Sequence, residues 1–465
     1  MCCIAASYDR KEVERMLRIQ AHRAPDGTGI VDVGGFFLGM GRLAILDLTS
    51  SGLCPIVDGE NVLAFNGELY NYIELRGELE KKGYAFNTTG DSEVLLKAFE
   101  EWGIECLQHF NWMGAFAIYR GGKIFIARDV AGEKPLYYKL GNRERNFALA
   151  SEAKSLDFNC YELPPAYFGV YDLNNNKLSI ESWWQLPHRN YSGTYEEALT
   201  ELDGLLESSV SLRTRADVPY GLYYSGGIDS SLISSYHDFY QKFTYEDKDY
   251  KDEFLSIFPK ILWHLDYPIK SFTPFGLWKL AEEASKKVKV VLSGEGADEL
   301  FGGYVRYVPN EFNRKAQKEF PSYKGLFPYK DMLREEFNGN MRELLRMGDR
   351  MASAFGIENR CPFLDRRIIE FAFSLPMEWK IDGLTTKKIL RDLIKRRIPD
   401  YQFEEKKGLY CSVNSWLGET NPFDKETYWN YQQSLYEAQC RNSGLQQKRT
   451  DSTTRIGVPE IFKSS

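Results

Sequence analysis

Along residues 30–185 apolar and polar positions mostly alternate with a period of two, as at Phe36, Leu38 and Met40 and again at Phe116, Ile118, Ile124 and Ile126. Successive strand side chains face opposite sides of a sheet, so this alternation predicts a half-buried, β-rich layer. Gly121-Gly122 separates two such runs by the two residues of a tight hairpin. Residues 70–82 and 92–102 instead repeat their apolar positions every three to four residues and predict helices. The first half therefore reads as an α+β sheet layer. From Pro187 to Gly193 the pattern breaks into a polar, turn-rich stretch, and Thr194-x-x-Glu197 then predicts a capping box ahead of Leu199, Leu202, Leu206 and Val210.

Beyond that point the pattern changes. An apolar run ends at Leu222-Tyr223-Tyr224, a Ser/Gly loop and a helix-like stretch follow, and residues 288–292 lead into a second Ser/Gly loop. Strands alternating with helices predict a parallel α/β sheet. The expected division is a first domain over 2–190, a second over 194–415, and a polar extension over 416–465, rich in Asn, Gln, Ser and Thr and in part disordered.

Lys plus Arg number 59 against 66 Asp plus Glu, a net charge of -7, which favours neither a nucleic-acid backbone nor an anionic membrane surface. No run of 18 apolar residues occurs, and charged residues crowd the first 30 positions, so a cytoplasmic protein acting on small molecules is expected. The 8 cysteines form no Cys-x-x-Cys pair and the 5 histidines lack metal-ligand spacing. Chemistry is therefore sought without a zinc or histidine-centred site.

Cys2 is the first candidate. Removal of Met1 would leave a thiol and an α-amine on one residue, and an amine titrating near 8 can take the thiol proton and generate a nucleophile. The motifs that follow are His22-Arg23-Ala24-Pro25-Asp26-Gly27, Gly41 to Asp47, Phe65-Asn66-Gly67-Glu68-Leu69-Tyr70-Asn71, Gly90-Asp91-Ser92-Glu93, Arg128 to Tyr138 and Ala150-Ser151-Glu152-x-Lys154. With these blocks the first 185 residues resemble glutamine amidotransferase domains with an N-terminal cysteine nucleophile, as found in glutamine-dependent asparagine synthetases. The resemblance implies an N-terminal nucleophile hydrolase fold of stacked antiparallel sheets with helices. It also implies that Asn66 and Gly67 donate to the tetrahedral oxyanion, that Arg42 and Asp91 pair with the carboxylate and ammonium of glutamine, and that Glu68 helps hold the substrate backbone. On their own, Arg42 and Asp91 would read as an ordinary surface pair and Asn66-Gly67 as a turn. Two positions depart from the family pattern: Cys3 follows the nucleophile where glycine is usual, and His22-Arg23-Ala24 replaces an Arg-Gly step. Side chains at these places are expected to tighten the pocket or slow glutamine hydrolysis.

A strand, then Ser225-Gly226-Gly227-Ile228-Asp229-Ser230-Ser231, then a helix is the sequence of a phosphate cradle without a Walker lysine. It resembles the pyrophosphate loop of ATP pyrophosphatases, with Tyr224, Ser225, Gly226, Gly227, Asp229 and Ser230 as ATP-binding positions. Residues 292–304, which contain Ser293-Gly294-Glu295-Gly296-Ala297-Asp298, are similar nearly residue for residue to the asparagine synthetase signature. By that resemblance Ser293 and Gly294 line the nucleotide, Asp229 and Asp298 hold Mg²⁺, Glu295 guides or deprotonates ammonia, and Lys406 offsets charge on departing pyrophosphate. Glu358, Arg360 and Asp365, in a further family block, read instead as a buried ion network.

Residues 232–292 are shorter than the family's corresponding stretch, and no hydrophobic strand is evident after the first helix. Residues 243–253 look like the join left by a deletion, which predicts weak, poorly selective nucleotide binding. The function expected is glutamine-dependent asparagine synthesis, with glutamine, aspartate and ATP as substrates and a homodimer as the assembly to be tested. Two alternatives stand beside it: an amidotransferase acting on another carboxylate, and a glutaminase or binding paralogue with an impaired synthetase site.

Overall fold

The alternating half of the chain forms two six-stranded antiparallel sheets. In this computed structural model residues 1–49, 54–141, 145–266, 272–307 and 329–403 are described; Lys406 and the extension from 416 lie outside them. The first sheet comprises β1 (Cys3–Ser7), β2 (Gly27–Asp32), β3 (Phe37–Arg42), β8 (Tyr137–Leu140), β9 (Phe147–Ala150) and β10 (Tyr161–Glu162), in the order β10-β8-β9-β1-β3-β2. The second comprises β4 (Ile56–Asp58), β5 (Asn61–Leu69), β6 (Trp112–Arg120), β7 (Lys123–Arg128), β11 (Tyr167–Asp172) and β12 (Lys177–Ser182), in the order β12-β11-β7-β6-β5-β4. The Gly121-Gly122 turn joins β6 to β7 with both residues at positive φ, 56° and 74°, as a primed hairpin turn requires.

Period-two alternation decides which side chains meet. Ile4, Ala6, Leu38 and Met40 from one sheet and Val62, Ala64, Ala115 and Ala117 from the other share the core between the sheets. The outward faces are covered by helices: Val13, Met16 and Leu17 of α1 (Arg10–Ile19) pack on Cys3 and Ala5, while α2 (Tyr72–Lys81) and α3 (Asp91–Trp102) cover Leu63, Phe65 and Phe116. α2 and α3 fall within about two residues of their sequence-predicted spans, and α1 is a helix that the apolar spacing does not single out.

Thr194 caps the 19-residue helix Tyr195–Arg213 through a complete capping box with Glu197. Four parallel strands follow, β13 (Tyr220–Tyr223), β14 (Gln241–Phe243), β15 (Val290–Leu292) and β16 (Glu358–Arg360), in the order β14-β13-β15-β16. β14 is a strand after the first helix, where no hydrophobic strand is evident in the sequence. It is a three-residue edge strand whose Gln241 and Lys242 are exposed and whose Phe243 alone is buried, so it lacks the apolar run that marks an internal strand.

A buried cluster of charges joins the two halves. Arg23 pairs with Asp349 at 2.9 Å, Arg350 with Glu152 at 2.6 Å, Lys154 with Asp266 at 2.8 Å and Arg350 with Asp266 at 3.0 Å. All six side chains are buried. Among the described residues no helix is long and apolar enough to cross a membrane.

Candidate active sites

Cys2 stands immediately before β1, at a narrow pocket it lines together with Arg42, Gly67, Glu68, Asp91 and Ser92. Residues far apart in sequence are thus brought to one place by β1, by the end of β3, by the middle of β5 and by the first turn of α3. Asn66 follows from the alternation of β5: it faces the same side as Ala64, toward the inter-sheet core on which Cys2 also packs. Its amide is fully buried, and neither its nitrogen nor its oxygen has a partner. A buried amide without partners carries a desolvation penalty that a developing oxyanion would relieve. Gly67 must be a glycine, since a Cβ there would lie 2.2 Å from the carbonyl oxygen of Met113.

Asp91 accepts from the backbone N–H of Leu69 at 2.8 Å, and burial pushes its carboxyl up to about 6 against that bond. Arg42 donates to the carbonyl of Leu46 at 2.9 Å, so it holds the loop beyond β3 while lining the pocket. Burial raises the Cys2 thiol, and the nearby terminal amine acts in the opposite direction. That amine is itself pulled down to about 6 by burial. The Met1 side chain packs with Phe243, Leu280, Val291 and Ile357 of the second domain, and its Sδ accepts from Arg23 at 3.4 Å and from Lys134 at 3.2 Å.

Glu68 lines the pocket, and its carboxyl also lies 3.0 Å from the Arg360 guanidinium of the second domain, so it ties the domains together as well. One expectation changes here. Cys3 and Ala24 do not tighten the pocket: both are buried on the opposite face of β1 with Val13 and Met16, and neither lines it. The network expected at Glu358, Arg360 and Asp365 is present: Arg360 also meets Glu358 at 2.9 Å, and Asp365 meets Arg213 at 3.1 Å.

The second site lies at the carboxyl edge of the parallel sheet, where open α/β sheets place their ligands. From β13 the chain passes through Tyr224 and the Ser/Gly loop into the helix Ile228–Tyr236. Ser230 Oγ accepts from the N–H of Ser225 at 3.2 Å, and Ser225 Oγ accepts from that of Gly227 at 3.3 Å. Tyr224 N–H donates to Phe243 O at 2.8 Å, so β14 flanks the loop directly. Ser293 and Gly294 follow β15, and Gly294 sits against Asp229, 2.7 Å from its Cβ if a Cβ is built on the glycine.

Asp229 and Asp298 come together on one cation, each 2.6 Å from Lys387 Nζ. Burial alone would lower this ammonium, but the two carboxylates carry it above the ordinary lysine value. Lys387 was not legible as a site residue. It stands in a Thr-Thr-Lys-Lys stretch that reads as solvated surface, and only the fold buries it between two acids. Two carboxylates converging on one position are a hard oxygen donor set that fits Mg²⁺. Glu295, half-buried, accepts from Asn359 Nδ2 at 3.1 Å and from Cys361 Sγ at 3.5 Å, and desolvation pushes it up to about 7.

Two facing antiparallel sheets with Cys2 at their pocket, followed by a parallel sheet with two Ser/Gly loops at its carboxyl edge, define a glutamine amidotransferase domain of the N-terminal nucleophile class joined to an ATP-pyrophosphatase-like domain. Comparison agrees: the glutamine amidotransferase domain family matches residues 1–166, and the asparagine synthase family matches 201–251, 250–343 and 328–439. Asparagine synthetase B (glutamine-hydrolyzing) of Escherichia coli is 30% identical over 86% of this chain and 80% of its own. The probable asparagine synthetase of Schizosaccharomyces pombe is 32% identical over 80% of this chain and 74% of its own. Asparagine synthetase 1 of Bacillus subtilis is 29% identical, in an alignment of 545 residues that uses 89% of this shorter chain. The chain belongs to the glutamine-hydrolysing asparagine synthetase family.

Proposed function

We propose that the protein makes asparagine from aspartate, ATP and glutamine. Cys2, once terminal, passes its thiol proton to its own α-amine and attacks the side-chain carbonyl of glutamine. Asn66 Nδ2 and the Gly67 N–H receive the oxyanion, while Arg42 and Asp91 hold the two charged ends of the substrate. Ammonia leaves, and water then releases glutamate from the thioester.

At the second site the Ser/Gly loops take the phosphates of ATP, the β-carboxylate of aspartate attacks the α-phosphorus, and pyrophosphate departs. Asp229 and Asp298 would hold Mg²⁺, which when bound supplies positive charge to the polyphosphate. Among the described residues, Lys387 is the cation placed to balance the same oxygens. Ammonia then displaces AMP, with Glu295 accepting a proton.

The observation that carries this reading is the ground between the sites. Lys134 Nζ lies 3.2 Å from Met1 Sδ and 3.2 Å from the carbonyl of Asn359, whose side chain donates to Glu295. Loss of Met1 would vacate buried space leading from the thiol toward that acid. Purified protein with ATP, Mg²⁺, glutamine and aspartate should release AMP, pyrophosphate, glutamate and asparagine together. Glutamate without pyrophosphate would leave a glutaminase, and pyrophosphate only with a different carboxylate would leave a related amidotransferase.

A further inference from the structure

Between the two sites lies a group of side chains of which the reaction above uses only Glu295. Glu133 stands on the turn after β7, where Asp129 accepts from the N–H groups of Ala131 at 3.0 Å, Gly132 at 2.6 Å and Glu133 at 3.0 Å. This turn is buried and rigidly tied, so Glu133 is held in place rather than free to seek water. Its neighbour Lys134 donates to the carbonyl of Asn359 at 3.2 Å, and the Cys361 thiol acts to lower the Glu133 carboxyl. The same thiol donates to Glu295 at 3.5 Å, approaches Ser293 Oγ at 3.7 Å and receives Asn359 Nδ2 at 3.8 Å. The thiol therefore donates to Glu295 of its own domain, on the side of the group that Glu133 approaches from the other.

Two acceptors in this group lack donors. Glu133 Oε2 and Asn359 Oδ1 are both buried with no partner, on residues only 5% exposed. Buried acceptors are costly to leave unsatisfied, so their joint presence points to a small visiting donor. Space is also left for the acid: at Gly348, inside the helix Asn340–Ser353, a Cβ would lie 2.7 Å from Glu295 Oε1 and push the carboxyl aside. A mid-helix glycine costs about 1 kcal/mol relative to alanine.

We propose that Glu133, Cys361, Asn359 and Glu295 form a transit station that binds ammonia as ammonium on its way from Cys2 to the adenylate. The inference rests on the synthetase reading above. The exchange balances without any further reactant: the nitrogen lone pair takes the proton of a neutral carboxyl, the O–H bond breaks as an N–H bond forms, and ammonium faces the resulting carboxylate. Return of the proton to the same oxygen releases ammonia. Burial first, then Asp129, raises Glu133 to about 8, while Arg213, Lys134 and Cys361 oppose the rise. A carboxyl in that range can serve as proton donor and acceptor at neutral pH.

The test uses the full-length enzyme and two variants, Glu133→Gln and Cys361→Val, each compared with the parent for glutamate released per asparagine formed and for the KM of added ammonium chloride. Glutamine hydrolysis at the parental rate identifies the folded variants. Both ratios should rise severalfold, with the KM for ATP unchanged, because ammonia then escapes before use. A folded variant with parental coupling and parental ammonium KM would overturn the station. A parent enzyme that forms no asparagine at all would instead overturn the synthetase reading, so the two failures are distinct. If Glu133→Gln does not fold, Cys361→Val decides alone.

Discussion

Arg360, at the end of β16, holds Glu68 of β5 across the domain boundary at 3.0 Å, one residue from the Gly67 N–H proposed to receive the oxyanion. The strand that closes the synthetase sheet therefore braces the glutamine pocket. Replacing Arg360 by Leu would strand two buried carboxylates, Glu68 and Glu358, and removal of one partner from such a pair costs about 3–5 kcal/mol. The urea midpoint should fall accordingly, and the KM for glutamine should rise in the surviving folded protein. A midpoint equal to that of the parent would refute the brace.

Asp91 makes the glutamine reaction sensitive to acid. Burial raises its carboxyl to about 6, so ionising it costs folding stability as pH rises through that value. Binding runs the other way, because the substrate ammonium needs the carboxylate. The KM for glutamine should therefore climb as pH falls below about 6, and Asp91→Asn should flatten that profile while raising KM throughout. Initial rates from pH 5 to 8 measure it, and a flat parental profile would remove Asp91 from the substrate.

Cys2→Ala should abolish use of glutamine and leave synthesis from ammonium salts within a small factor of the parent, since the thiol serves only the first half-reaction. Equal loss with both nitrogen donors would contradict the proposed separation of sites.

Lys387→Met should slow pyrophosphate release by about two orders of magnitude, the scale of losing one preorganised charge, while glutamine hydrolysis continues. Asp229 and Asp298 would then face each other without their shared cation. Radiolabelled ATP followed for pyrophosphate gives the answer. An unchanged rate would leave Lys387 a purely structural bridge.

ATP should be bound in preference to GTP, because β14 supplies a backbone edge beside Tyr224 that the sequence does not reveal. Calorimetric titration with both nucleotides checks this. Equal, weak binding would restore the expectation drawn from the shortened interval.

The parts of this molecule legible beforehand share a physical signature. The period-two runs of the first domain mark its strands even though helices cover the face expected to be open, the helix after Thr194 declares its cap, and Cys2, Arg42, Gly67 and Asp91 come from motifs that the fold collects into one pocket. The parts missed depend on distant neighbours. β14 is an edge strand with one buried side chain, and its polar residues read as loop. Lys387 and Glu133 carry ordinary charged side chains, and nothing local distinguishes them from surface. Only tertiary burial, opposite Asp229 and Asp298 in one case and beside Cys361 in the other, sets them apart.

The charge cluster at the boundary also bears on how such an enzyme can be taken apart. On one side stand Arg23 and Lys154 against Glu152, and on the other Arg350 against Asp266 and Asp349. Neither set is balanced by itself: with Lys134, 3.7 Å from Asp349, the first has an excess of positive charge and the second an excess of negative, and each is compensated only across the boundary. A half expressed alone, or grafted onto a foreign partner, would bring to its cut face an uncompensated charge set in an apolar floor. The two halves are complementary pieces of a single electrostatic object, so exchange between relatives would have to carry these charges as a unit.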